Sequence, residues 1–227
     1  LYGVELDTVT GRIASKLYPQ ANVQVKGFEE TNFPNDYFDI VVSNVPFGGY
    51  GVYDSEYSRH KFLIHDYFIA KSIDKVKPGG IVAVVTSKGT LDKLNPTARK
   101  YMAERAELLG AIRLPNTAFR QTANTEAVTD ILFFKKRAEK ISDTSGIEWL
   151  GTDKTEEGFE VNKYFIRHPE MDLGTFAKET GLYGAEGLTV KPDGRPLSEA
   201  IAAAVENLPQ NVYENPDHAA ADVAAMD

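Results

Sequence analysis

Asp39-Ile40-Val41-Val42-Ser43-Asn44-Val45-Pro46-Phe47-Gly48 is the stretch whose reading decides the fold. Its first half is rich in β-branched residues and predicts a strand; Asn44, Pro46 and Gly48 then end it. An apolar run without alternation is the pattern of a strand covered on both faces. The tip of such a strand is where open α/β sheets keep their chemistry. Toward the N-terminus, residues 1–5 read as a strand, 8–17 as a helix that Thr8 or Thr10 caps, and 22–26 as a second short strand. Toward the C-terminus, apolar residues at helical spacing predict a helix over 62–76, closed by Lys77-Pro78-Gly79-Gly80. A buried strand over 81–86, a helix over 98–109 and strands over 110–114 and 130–135 follow. This alternation predicts an α/β chain with an open, mostly parallel sheet covered on both faces.

The apolar pattern weakens beyond Arg137. Residues 1–137 therefore read as the core, and 138–208 as an extension of irregular chain and short strands that packs on it and ends in an amphipathic helix over 198–208. Residues 209–227 read as an acidic, Ala-rich tail expected to fray. The glycines Gly181, Gly184 and Gly187 follow no predicted strand and read as turn residues rather than a dinucleotide loop.

Composition narrows the function. An apolar fraction of 42% supports a packed core, and the absence of cysteine excludes disulfides and thiolate metal sites. No apolar stretch approaches the roughly 18 residues a membrane span requires, so a soluble, cytoplasmic protein is expected. His60, His65, His168 and His218 lack metal-ligand spacing, and no metal site is expected. The net charge of −8 is unevenly spread: residues 88–140 carry 11 basic and 6 acidic groups, whereas 141–227 carry 6 and 17. A bound polyanion would meet the middle segment, with Lys88, Lys93, Arg99, Lys100, Arg113 and Arg120, unless this is only a solvated basic face.

Three places carry candidate chemistry. An aromatic amine delocalises its lone pair into the ring and is a poor nucleophile. If the side-chain oxygen of Asn44 and the carbonyl of Val45 each accept one of its N–H bonds, the nitrogen is drawn toward tetrahedral geometry. Pro46 fixes the turn that aims that carbonyl, and Phe47 can stack on a base turned out of a duplex. Glu5, at the end of the first strand, can accept hydrogen bonds from both hydroxyls of a ribose, or serve as a charge near a helix N-terminus. In the turn Gly27-Phe28-Glu29-Glu30, an aromatic ring can cover an adenine while a carboxylate accepts from its amine, or Phe28 can tuck into the core.

The succession Gly-Val-Glu-Leu-Asp (3–7), Gly-Phe-Glu-Glu-Thr (27–31) and Phe-Asp-Ile-Val-Val-Ser-Asn-Val-Pro-Phe-Gly (38–48) resembles the adenine-specific DNA methyltransferases. The likeness is to the methylase part of large methylase–helicase proteins of phages and mobile elements. His65-Asp66-Tyr67-Phe68, Leu114-Pro115-Asn116-Thr117-Ala118-Phe119 and Thr129-Asp130-Ile131-Leu132-Phe133-Phe134 continue it, strongly over 1–137 and more faintly to about 208. The resemblance implies a Rossmann-like fold and methyl transfer from S-adenosylmethionine to the N6 amine of adenine in DNA, as in restriction–modification. Glu5 would hold the cofactor's ribose and Phe28 with Glu29 its adenine. Asn44, Val45 and Pro46 would grip the target amine while Phe47 stacks on its base.

Three departures stand out. Val45 replaces a proline of the Asn-Pro-Pro-Phe/Tyr signature, and Phe28 stands where the family usually has an acid. The family's first strand and its Phe-x-Gly-x-Gly loop, the seat for the cofactor's methionine part, also have no counterpart here. The fold is therefore expected to be incomplete at its N-terminus, a fragment that binds the cofactor weakly alone. DNA and the remainder of a longer methylase–helicase polypeptide are the expected partners, and no membrane. Similar motifs also serve RNA guanine amines and protein glutamine amides. A non-catalytic DNA-binding or scaffold module is the alternative of another class.

Overall fold

The computed structural model describes residues 1–123, 125–180 and 186–213. The expected tail falls largely outside the described residues, as do Gly181, Gly184 and His218. The core begins with β1 (Tyr2–Glu5), α1 (Thr8–Leu17) and β2 (Asn22–Val25), then β3 (Phe38–Asn44), α2 (Ile64–Lys75) and β4 (Val76–Ser87). It continues with α3 (Gly89–Asp92), α4 (Thr97–Arg105), β5 (Ala106–Leu114), α5 (Arg120–Ala123) and β6 (Thr129–Lys136). The extension adds β7 (Thr152–Lys154), β8 (Glu160–Asn162), α6 (Lys163–Arg167), β9 (Thr175–Thr180), β10 (Glu186–Lys191) and α7 (Leu197–Val205).

The strands form separate sheets rather than one. β1 and β2 pair in parallel, and a second sheet has the order β3-β4-β6-β5. Only β3 and β4 are parallel in it, because β6 runs antiparallel to both β4 and β5. The expectation of a mostly parallel sheet is corrected accordingly: β6 follows β5 as its antiparallel neighbour and inserts beside β4.

β4 and β6 are the buried centre. Val82, Val84, Leu132 and Phe134 pack against Ile69, Ala70 and Ile73 of α2 and Met102 of α4, all essentially inaccessible. Helix α2 passes straight into β4, with Val76 already paired to Phe38. The register shift between Phe38 and Ile40 is absorbed by Gly79 at φ 77° and Gly80, where a β-carbon would press on the carbonyl of Asp39.

The prediction that β3 is covered on both faces does not hold. Ile40 is 54% exposed and Val42 77%. β3 has β4 on one edge and no strand on the other among the described residues, and β1 is likewise paired only with β2. Helix α1 presents Val9, Ile13 and Leu17 to solvent. Other boundaries moved for local reasons. Asp7, not Thr8 or Thr10, caps α1, its carboxylate accepting the Thr10 N–H at 2.7 Å. The helix expected to reach residue 109 stops at Arg105, because Ala106 opens a strand that pairs with β6 from Lys136 onward.

The extension is fastened to the core by buried polar contacts. The side-chain amide of Asn162 donates to the carbonyls of Leu91 and Trp149, both at 2.8 Å. Arg99 donates to the carbonyl of Leu150 at 2.8 and 3.0 Å, Leu173 N–H to that of Arg113 and Asn116 N–H to that of Val190. No helix among the described residues is long and apolar enough to cross a membrane.

Candidate active site

Asn44 is the last residue of β3 and pairs with Val85 in the middle of the second sheet. It is exposed, and among the described residues its amide has no hydrogen-bond partner. Val45 turns inward, 2% exposed, and its N–H donates to Val85 O at 3.0 Å. That bond fixes the peptide following Asn44, while no N–H among the described residues takes the Val45 carbonyl. Pro46 is half-buried and the Phe47 ring is 39% exposed. An anchored turn thus presents the Asn44 amide and the Phe47 ring at the carboxyl end of β3, with the carbonyl of the buried Val45 between them.

Glu5 and the Phe28 turn end the two strands of the other sheet, with Glu5 opposite Val25. One Glu5 oxygen accepts the Asp7 N–H at 2.8 Å, which steadies the entry to α1 and leaves the second oxygen as an acceptor. Phe28 starts a single turn of 3-10 helix. Its half-buried ring packs on Phe68 at 5.1 Å and near Tyr67 at 6.2 Å, so one side of it leans on α2. The carboxylate of Glu29 folds back over Gly27.

What connects this turn to the Asn44 loop was not anticipated from the sequence. Lys71, on α2 and 3% exposed, donates to Phe28 O at 2.8 Å and to the Asp54 carboxylate at 2.9 Å. Its ammonium also lies 4.9 Å from the Phe28 ring centroid. Tyr67 OH donates to the same Asp54 oxygen at 2.7 Å. Burial pushes the Asp54 carboxyl up, but the hydrogen bonds from Lys71 and Tyr67 outweigh it and hold it below the usual range. The signal was the spacing Tyr67–Lys71, which puts both on one face of a helix, but only the tertiary fold brings Asp54 under them.

The basic middle segment is divided: Lys100 and Arg120 are exposed, Lys88 and Lys93 half-buried, and Arg99 and Arg113 internal, so these last two are not available to a polyanion. Arg99 is 1% exposed and spends its donors on three carbonyls. Arg113 is fully buried between Asp130 (2.8 and 2.9 Å) and Asp92 (2.9 and 3.0 Å), and its guanidinium lies 4.0 Å from the Phe165 ring centroid. Lys93 pairs with Asp66, and burial lowers the Lys88 ammonium. A third carboxylate faces Arg113: Asp172, whose two oxygens are buried without a hydrogen-bond partner and whose carboxyl burial raises to about 7. His65 is buried, and desolvation lowers its ring below the ordinary histidine value. No group of His, Asp or Glu suited to a metal ion occurs among the described residues.

Comparisons with known proteins identify a family and a fold. The profile for N-6 DNA Methylase matches residues 1–163. Over 210 residues the chain is 32% identical to Defense against restriction protein B of Escherichia phage P1, covering 88% of this chain and 9% of that protein. Over 145 residues it is 27% identical to the rRNA N(6)-adenosine-methyltransferase metl-5 of Caenorhabditis elegans, covering 59% and 64%. The chain thus spans about a tenth of the phage relative and under two thirds of the nematode one. Among solved structures, a chain of a type I restriction–modification system superposes with a TM-score of 0.51 at 15% identity, covering 99% of this chain and 51% of that one. The modification subunit assigned to a type I restriction enzyme of Vibrio vulnificus gives 0.50 at 15%, covering 86% and 47%. These likenesses show the methyltransferase fold, and the profile match, which covers most of the described core, places this α/β chain in the N-6 DNA Methylase family.

Proposed function

We propose that the chain is the catalytic core of an enzyme that transfers a methyl group from S-adenosylmethionine to the exocyclic N6 amine of adenine in DNA. The observation that carries this reading is the tip of β3, where Asn44 is exposed on a turn that the Val45 N–H anchors to β4. When bound, S-adenosylmethionine supplies a methyl group already activated on a sulfonium. The chain's residues have to present the nitrogen. The Asn44 side-chain oxygen and the Val45 carbonyl accept its two N–H bonds, which returns the lone pair to the nitrogen and aims it. Pro46 holds the carbonyl's direction and Phe47 stacks on the base, so catalysis here is positioning plus fixed dipoles.

Glu5 fits a ribose, since one of its oxygens remains to accept a hydroxyl after the other has taken the Asp7 N–H. Phe28 with Glu29 would face the adenine, the ring braced from behind by Phe68 and Lys71. Glu5 and Asn44 belong to sheets that are not hydrogen-bonded to each other. We therefore hold that the chain binds the cofactor weakly alone and works as part of a longer methylase–helicase polypeptide, in keeping with the small fraction of the phage relative that it covers. DNA is the partner this reading requires.

Incubating the longer polypeptide that carries this chain with methyl-labelled cofactor and adenine-containing duplex DNA tests the reading. Label in N6-methyladenine that is lost in Asn44→Ala supports it, and transfer that survives Asn44→Ala refutes it. The nematode relative, whose name specifies rRNA, favours RNA adenine as the second substrate to assay.

A further inference from the structure

Directly behind the Asn44 turn, the chain carries three aromatic residues at intervals of three, Phe47, Tyr50 and Tyr53. All three are exposed: Tyr50 by 57%, Tyr53 by 81% and Phe47 by 39%. Large rings left in water so close together mark a surface made to be covered. The backbone beneath them is held firmly. The carbonyl of Tyr50 accepts the Ile64 N–H at 2.8 Å, and Asp54, next to Tyr53, is locked by Lys71 and Tyr67. Glycines let the turns close: a β-carbon on Gly48 would collide with the Tyr50 ring, and one on Gly51 would press on the Phe62 carbonyl.

Beside Tyr53 opens a groove of about 380 Å³, with Tyr57, Phe62 and Tyr67 in its floor and Lys61 on its rim. Lys61 adopts a left-handed backbone at φ 53°. Arg59 is also exposed nearby, and Glu56 is the exposed acid opposing them. The other acid of this loop, Asp54, is buried and paired with Lys71. Exposed rings bordered by cations have the chemistry of a single-stranded nucleic-acid platform, where π-faces take bases and cations follow phosphates. A protein partner would be met better by buried anchors than by rings standing free on a glycine-rich segment.

We propose that Tyr50 and Tyr53 stack on unpaired bases flanking the target adenine, the groove beside Tyr53 receiving one base and Lys61 its phosphate. The inference rests on the DNA-methyltransferase reading and extends its substrate contact beyond Phe47. A strand held open on both sides of the extruded base keeps that base from returning to its stack.

The test measures binding and needs no methyl transfer. Fluorescence anisotropy of the whole chain with a labelled single-stranded adenine-containing DNA is compared for Tyr50→Ala, Tyr53→Ala and the matching Phe variants. Stacking predicts that each Ala change weakens binding about fivefold or more, that each Phe change leaves it intact, and that the loss disappears on an oligonucleotide whose flanking residues are abasic. Unchanged affinity in the Ala variants, or an equal loss on the abasic strand, overturns the proposal; so does failure of the parent chain to bind. Tyr53 is the decisive position, since so exposed a ring has little packing to lose, and circular dichroism confirms the fold of each variant. Because the readout is binding, unchanged affinity in the Tyr variants refutes the platform alone, whereas a longer polypeptide that binds through its tyrosines yet transfers no methyl group refutes the catalytic reading alone.

Discussion

Asp172→Asn is predicted to stabilise the protein, and only above acidic pH. Asp172 sits where the extension meets β5, between Met171 and Leu173, and its carboxylate oxygens are buried with no donor in reach. Burial is the main cause of its elevated value, about 7 against the ordinary 3.8. Arg113 draws the value down, but Asp130 and Asp92 already share that guanidinium and push it up. Between about pH 4 and about pH 7 the folded protein therefore holds one proton more than the unfolded chain, and stability falls as pH rises through that window. At about 1.36 kcal/mol per tenfold change in acidity constant, the penalty reaches about 4 kcal/mol above neutrality. An asparagine carries no such linkage. Urea unfolding of parent and variant, from about pH 4.5 to about pH 8.5, should give a stability difference that is small at the acid end, grows in favour of the variant by about 3–4 kcal/mol, and levels above about pH 7. A difference that does not change with pH would refute the assignment of an unpaired, proton-linked carboxyl.

Asn44→Ala should abolish methyl transfer yet alter the unfolding free energy by no more than about 0.5 kcal/mol, as expected for an exposed surface position; loss of the fold would mean that Asn44 is structural. Lys71→Met strands a buried carboxylate and should cost about 3–5 kcal/mol in chemical denaturation. Because Asp54 is held below its unfolded value, the stabilisation it brings is present above about pH 4 and lost as pH falls further, so the Lys71 variant should lose the acid limb of the stability profile seen in the parent. Val42→Lys, on the uncovered face of β3, should leave stability within about 0.5 kcal/mol, whereas a strand covered on both faces would not tolerate it. Isothermal titration of the chain with S-adenosylmethionine should show weak or no binding; tight stoichiometric binding would refute the dependence on further polypeptide.

What the sequence made legible was local. The β-branched run before Asn44 locates β3, the helical spacing after Phe62 locates α2, and the Asn-Val-Pro-Phe order marks the end of a strand. What stayed hidden depended on partners distant in the chain. Nothing in the run Ile40-Val41-Val42 tells that one side of the strand lacks a neighbour, and nothing in Ala106-Glu107-Leu108 tells that β6 will pull it out of a helix. Arg99 and Arg113 looked like surface cations because a basic residue does not announce its carboxylates. Asp92 and Asp130 meet Arg113 only once β5 and β6 pair, and the Leu150 carbonyl meets Arg99 only after the extension folds back. Lys71 is hidden for the same reason, its two partners lying 17 and 43 residues away.

The uncovered rims of β1 and β3 carry a practical consequence. Each is a row of backbone donors and acceptors with oily neighbours, Leu6 and Val9 beside one, Ile40 and Val42 along the other, and among the described residues no further strand pairs with either. In a tube at high concentration the ready mate for such a rim is another molecule's rim. Turbidity and light scattering should therefore climb steeply with protein concentration, and a single lysine at position 42 should be the cheapest way to keep preparations clear.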